Sequence, residues 1–173
     1  MRLFVGVSIG DEARRQLAAW AQRAVGRDPA LRLVAEERLH LTLAFLGSCD
    51  EGLVEPLGAI VGGVVAEAGP LRSGGALWLA PRRPHVLTVA VEGPLEALHD
   101  AVWSGLEPVG FARERRRFRP HVTVARVRRG AAPATLELPP PPRVDLGPLA
   151  LVLYESRLGR DARYEPLVTV PLH

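Results

Sequence analysis

His40-Leu41-Thr42-Leu43 and His121-Val122-Thr123-Val124 are two copies of one pattern, each set in an apolar, β-branched-rich run. Such runs form strands, and on a strand the side chains two apart share a face. Each copy then presents an imidazole and a hydroxyl about 6.5 Å apart, while Leu41 and Leu43, or Val122 and Val124, turn the other way into a core. Two such pairs facing one another supply two proton-transfer groups and two hydroxyl donors around one small anion. That is an acid–base site for phosphoryl chemistry built without metal or covalent nucleophile. With five histidines and five threonines in the chain, two matches by chance come to about one in a hundred.

Outward from the motifs the chain repeats itself. Leu3 to Ile9 alternates as a strand, and Gly10-Asp11 opens a helix with Asp11 as N-cap. Glu12 to Val25 puts Leu17, Trp20, Ala21 and Ala24 on one face before the first motif strand, Leu39 to Leu46, closed by Gly47. Val86 to Val91, the turn Glu92-Gly93-Pro94, a helix bearing Leu95, Leu98, Val102 and Leu106, and the second motif strand, Pro120 to Val127, follow in the same order. Gly10 precedes His40 by 30 positions and Gly93 precedes His121 by 28. Further strands are expected at Leu31 to Val34, from Leu77 to Leu79, at Leu149 to Glu155 and at Val168 to Leu172. A helix is expected over 51–68, and an extended proline-rich connector over 130–148. The repetition predicts an α+β fold: a single bilobal domain over 1–173, with two antiparallel sheets and flanking helices around a central cleft that carries both motif strands.

The 173 residues, 47% of them hydrophobic, suffice to bury a core without staples. Cys49 is the only cysteine, which excludes an internal disulfide and a cysteine-rich metal cage. A reducing, cytoplasmic setting is expected. No 18-residue apolar run occurs, so no membrane span is expected, and Met1 to Val7 lacks a signal-peptide layout. All 22 basic residues are arginine, whose planar fork pairs bidentately with phosphate. Arg113, Arg115, Arg116, Arg117, Arg119, Arg126, Arg128 and Arg129 crowd around the second motif although the net charge is only +3. That local density points to a polyanionic substrate.

Metal is the natural rival for two histidines, but zinc wants three or four protein ligands. Cys49 is isolated and neither motif strand carries an adjacent carboxylate, so no metal and no cofactor are expected. There is no Walker or dinucleotide-binding pattern; Gly62-Gly63 and Gly74-Gly75 read as packing or turn glycines. His85 stands three before Thr88, hence on the opposite strand face; His99 falls on a helix and is expected at its surface; His173 ends the chain. Phe45 and Arg126 each fall five after a motif histidine, an odd spacing that turns them away on an ideal strand. Arg126 then reaches a phosphate only at a strand end or twist. Phe45 either packs in the core or lines a base-stacking wall, and Tyr154 and Ser156 are candidate pocket residues.

The two motifs resemble those of the 2H phosphoesterase superfamily, and the nearer resemblance is to the bacterial RNA 2′,3′-cyclic phosphodiesterases, also called 2′-5′ RNA ligases. It is carried by Arg2-Leu3-Phe4-Val5-Gly6-Val7, by His40-Leu41-Thr42-Leu43-Ala44-Phe45-Leu46-Gly47 and by Pro120-His121-Val122-Thr123-Val124-Ala125-Arg126. Leu153-Tyr154-Glu155-Ser156-Arg157-Leu158 and Tyr164-Glu165-Pro166-Leu167 extend it nearly end to end. Val124 replaces a more usual leucine, and Thr88 stands where tryptophan is common, so the cleft wall is expected to differ there. The resemblance implies metal-independent opening of RNA 2′,3′-cyclic phosphate ends to 2′-phosphomonoesters, with His40 as proton donor and His121 as proton acceptor. It implies that Thr42, Thr123 and Arg126 bind the phosphate, and that some members reversibly join tRNA halves through 2′-5′ linkages. RNA termini, tRNA halves or nucleotides are the expected partners, and a monomer is the expected state. Two other readings stay open: a phosphodiesterase on small cyclic nucleotides or 2′-5′ oligonucleotides, and a non-catalytic RNA- or nucleotide-binding module. The arginines of 113–119 favour a longer polyanion over the first, and a binder has no need of two paired histidines.

Overall fold

The computed structural model describes residues 1–65, 67–80, 82–159 and 162–173. Its elements are β1 (Arg2–Ser8), α1 (Asp11–Val25), β2 (Leu31–Leu33), β3 (His40–Ser48), α2 (Val54–Gly62), β4 (Arg72–Leu79), β5 (Val86–Glu92), α3 (Glu96–Leu106), β6 (His121–Val127), β7 (Leu149–Arg157) and β8 (Arg163–Leu172). The strands run β4-β5-β6-β3-β1-β7-β8, with β2 also beside β6, and every pair is antiparallel. The fold is α+β, as the sequence predicts. The two expected sheets are two halves of one, however. They join where the motif strands β3 and β6 meet, through one registered pair, Leu41 with Val122. Both residues are fully buried, and each sits between the histidine and threonine of its motif. Burying these two apolar residues against each other brings the polar pairs together on the opposite face.

The helices cross over. α1 follows β1 but contacts β2 and β6 of the other half, and α3 follows β5 but contacts β3 and α2. Their apolar faces, Leu17, Trp20 and Ala21 on α1 and Leu98, Val102 and Leu106 on α3, enter one continuous core with Leu41 and Val122. Truncating a fully buried leucine such as Leu17 or Leu98 would cost about 2–5 kcal/mol.

Several local expectations are corrected. Gly10, not Asp11, is the N-cap of α1; its N–H donates to the Leu146 carbonyl, and Asp11 lies in the first turn, where a carboxylate still suits the helix dipole. A Cβ at Gly10 would lie 2.2 Å from the Gly147 carbonyl oxygen, so close backbone approach selects glycine. The helix expected over 51–68 is a 3₁₀ turn followed by the shorter α2. It stops at Gly62-Gly63, two residues of low helix propensity; residue 66 lies outside the described residues. β4 begins at Arg72, so Leu77 to Leu79 ends the strand rather than starting it. Gly74-Gly75 stand opposite the single residue Ala90 in a bulge against β5. β8 is twice as long as expected, since Pro166 and Pro171 are tolerated on a strand with one free edge.

The connector over 130–148 is pinned through its carbonyls. Trp20 Nε1 donates to Pro139, Trp78 Nε1 to Leu136 and Ser73 Oγ to Pro142. In return, the Asp28 carboxylate accepts from the Ala134 and Thr135 amides. The Thr135 amide above all holds the Asp28 carboxyl below its usual range.

Candidate active site

A cavity of about 790 Å³ opens over the β3–β6 seam, lined by His40, Thr42, His121 and Thr123 together. Leu41 faces Val122 in an antiparallel pair, so His40 lies beside Thr123 and Thr42 beside His121 on the cavity side. Both imidazoles are held by the same device. His40 Nδ1–H donates to the Arg38 carbonyl at 2.8 Å, and His121 Nδ1–H donates to the Arg119 carbonyl at 2.6 Å. With each Nδ1 so engaged, Nε2 is the atom left for proton transfer.

The two sites differ beyond that point. Thr42 Oγ1 lies 2.9 Å from His40 Nε2, and the hydroxyl donates to it when the ring is neutral. His121 Nε2 has no protein partner among the described residues. His40 is packed against the rings of Phe4 at 4.9 Å and Tyr164 at 5.0 Å. Burial pushes its pKa down to about 4; the Arg38 hydrogen bond opposes this, while the charges of Arg126, Arg38 and His121 add to it. The ring also needs room beneath it. A Cβ on Gly6 would lie 2.7 Å from the Leu41 carbonyl oxygen and 3.3 Å from His40 Cδ2.

Phe45 and Arg126 come to the cavity face despite their odd spacing. Along β1 the partner of Val5 is Ala44 and that of Gly6 is Thr42, so Leu43 is skipped. Along β5 the partner of Leu87 is Ala125 and that of Thr88 is Thr123, so Val124 is skipped. A bulge after each motif threonine thus opposes two residues to one. It restores Phe45 to the side of His40 and Arg126 to the side of His121, and both line the cavity. Because β3 and β6 are antiparallel, the bulges send Phe45 and Arg126 to opposite ends. Phe45, 65% exposed, lies beyond Thr42; Arg126 lies beyond Thr123, where it faces Arg32 across β2.

Ser156 lines the cavity, but Tyr154 does not. Tyr154 stacks on Phe4 at 4.9 Å with its ring 5.9 Å from that of His40, so it backs the histidine rather than the cavity. His99 is not at the surface: its ring stacks on Phe118 at 3.9 Å, accepts from Trp103 Nε1, and lines the cavity, as does His85. Thr88 is buried beside Thr123 with its hydroxyl on the Leu77 carbonyl, and it is not among the residues that line the cavity. Sequence reasoning missed Arg38 and Tyr164. The Arg38 guanidinium lies 4.6 Å over the Tyr164 ring, and the signal for it was the residue two before each histidine, an arginine in both copies. Among the described residues Glu114 is the only acid that lines the cavity, against eight arginines. Among the described residues no three His, Cys, Asp or Glu side chains gather as a metal site, and no helix is long and apolar enough to cross a membrane.

A relative from Geobacillus stearothermophilus named RNA 2′,3′-cyclic phosphodiesterase is 30% identical over 178 residues, covering 98% of this chain and 56% of its own length; the chain thus spans little more than half of that protein. The Escherichia coli K12 protein of the same name is 30% identical over 177 residues, covering 96% of this chain and 93% of its own. The crystal structure of E. coli LigT complexed with 3′-AMP aligns with a TM-score of 0.79 at 29% identity, covering 99% of this chain and 97% of that one. The family description "2'-5' RNA ligase superfamily" matches residues 10–157, on the same strands that carry the two histidine motifs. This chain therefore belongs to the 2′-5′ RNA ligase superfamily.

Proposed function

We infer that the protein is an RNA 2′,3′-cyclic phosphodiesterase that opens the terminal cyclic phosphate to a 2′-phosphomonoester, with its two imidazoles as acid and base. The observation that carries this is the shared cavity: two carbonyl-anchored histidines and two threonines around one seam, in a wall of arginines. His121 Nε2, without a protein partner among the described residues, takes the proton of the attacking water. His40 protonates the departing ribose oxygen. Neutral in the free protein, His40 gains its proton when the phosphate anion offsets the surrounding guanidinium charge. Once protonated, Nε2 no longer accepts from Thr42: its proton turns to the departing oxygen, and the Thr42 hydroxyl is released to a non-bridging phosphate oxygen, with Thr123 opposite.

The polarity of the cavity supports this division of roles. In a nucleotide the base hangs from C1′, beside O2′, and C5′ lies on the side of O3′. A base stacked on exposed Phe45 directs O3′ toward the other end of the seam, where His40 stands beside Thr123. The imidazole nearest O3′ is then the acid, and breaking the P–O3′ bond leaves the 2′-phosphate.

The test is product analysis of an oligonucleotide ending in 2′,3′-cyclic phosphate, incubated with the protein in excess EDTA. A 2′-phosphate terminus is expected. A 3′-phosphate terminus would reverse the roles of the histidines, and an unchanged substrate would remove the activity.

A further inference from the structure

The Phe45 end of the cavity is bounded by the start of β1. Arg2 and Phe4 stand two apart on that strand, so they share a face, with their Cβ atoms about 7 Å apart. Phe4 is the partner of Phe45 on β3, and Arg2 is the partner of Ser48. Arg2 therefore lies beyond Phe45 as seen from the seam, and it lines the cavity. Its backbone is held on both sides. The Met1 ammonium donates to the Cys49 carbonyl at 2.9 Å, the Cys49 amide donates back to the Met1 carbonyl at 2.8 Å, and Leu3 is buried. Arg2 itself is exposed and makes no ion pair among the described residues. Arginines elsewhere on this surface do find acids: Arg113, Arg143 and Arg157 are each paired with aspartate or glutamate. Ser156 adjoins Arg2 on β7, next after Glu155, the partner of Leu3, and it also lines the cavity.

A base stacked on Phe45 has its glycosidic bond toward the seam, so its far edge points past Gly47 to Arg2. The group on that edge divides the four bases. In guanine and uracil it is a carbonyl oxygen, which accepts; in adenine and cytosine it is an amino group, which donates. A guanidinium has donors only, so it pairs with the carbonyl and is opposed by the amino group. Guanine adds N7, a second acceptor within the span of the same fork. The Ser156 hydroxyl both donates and accepts, so it adds a contact without choosing. We propose that Arg2 reads the far edge of the terminal base, and that the protein therefore prefers RNA ends closed on guanosine or uridine to those closed on adenosine or cytidine. The proposal rests on the phosphodiesterase reading, from which it takes the position of the base.

The four nucleoside 2′,3′-cyclic phosphates test this when compared by kcat/KM. The wild type should favour guanosine over adenosine about tenfold, and uridine over cytidine about threefold. In Arg2→Ala both ratios should fall to within about twofold. In Arg2→Glu both should invert, because a carboxylate only accepts and so suits the amino bases. Each ratio compares substrates of equal charge on one variant, so partial misfolding or a weaker hold on phosphate cancels. A wild-type ratio near one in either pair, a preference that survives Arg2→Ala, or ratios that fail to invert in Arg2→Glu each overturn the assignment. Calorimetric titration with 3′-GMP and 3′-AMP keeps the two inferences apart. If no cyclic phosphate is opened, yet 3′-GMP binds about tenfold tighter than 3′-AMP and Arg2→Ala removes the difference, the phosphodiesterase reading falls and the base contact stands. With neither turnover nor that difference, both fall.

Discussion

β3 and β6 carry the same motif, the same carbonyl anchor for Nδ1 and the same bulge after the threonine, yet they deliver different chemistry. In β3 the histidine is enclosed by Phe4 and Tyr164, bonded to its own threonine and driven to a pKa of about 4. In β6 the histidine stands more open, with Nε2 unclaimed among the described residues. The bulge on one strand delivers an aromatic ring, Phe45; on the other it delivers a cation, Arg126. Repetition of the backbone supplies symmetric positions, and the residues packed behind each strand make the two imidazoles unequal.

That contrast can be broken most severely at the histidines. His40→Ala and His121→Ala should each lower kcat on cyclic-phosphate RNA by roughly 10²–10⁴-fold, read in a product-release assay; a variant that keeps wild-type turnover removes its strand from the mechanism. The next effect is on acid stability. Because His40 titrates near 4 when folded and near 6.5 when unfolded, the unfolded chain binds the extra proton between those values. Stability therefore falls as pH drops from about 6.5 to 4, by up to about 3 kcal/mol. Urea unfolding across that range should show the decline in wild type and a shallower one in His40→Gln.

Gly6→Ala strikes the β3 side alone. Crowding against the Leu41 carbonyl should cost about 1–3 kcal/mol in urea unfolding and lower kcat, whereas Gly75→Ala, with open space at its Cβ, should do neither. The smallest effects sharpen the comparison by their kind. Phe45→Leu should raise KM about tenfold with kcat little changed, as loss of a stacking contact predicts. Arg126→Gln should raise the pKa of His40 in the free protein, and binding of inorganic phosphate to wild type should raise it further. NMR titration of the ring protons reads both, and a His40 signal that ignores phosphate would exclude the proton gain assigned to it.

Much of this was legible in the residues. The matched spacing of His40-x-Thr42 and His121-x-Thr123, with Leu41 and Val122 pointing inward, already implied two strands meeting over one anion site. What alternation could not convey was the bulge. Strict two-residue periodicity turns Phe45 and Arg126 away from the cavity, and only the pairing with β1 and β5 reveals the extra residue in each strand. His99 was misplaced because a helical position does not disclose that Phe118, from a distant irregular segment, stacks on it. Tyr154 is one strand further from the seam: Phe4, its partner on β1, lies closer to His40, at 4.9 Å against 5.9 Å. The unequal environments of the two histidines were hidden as well, since burial arises from Phe4 and Tyr164, remote in sequence from His40.

The junction between the halves is a single rung, Leu41 with Val122. With one rung, the distance between the imidazoles is set by how Leu41 and Val122 pack and by the helices α1 and α3 that reach across it, so bulk added at either apolar residue would part the two rings.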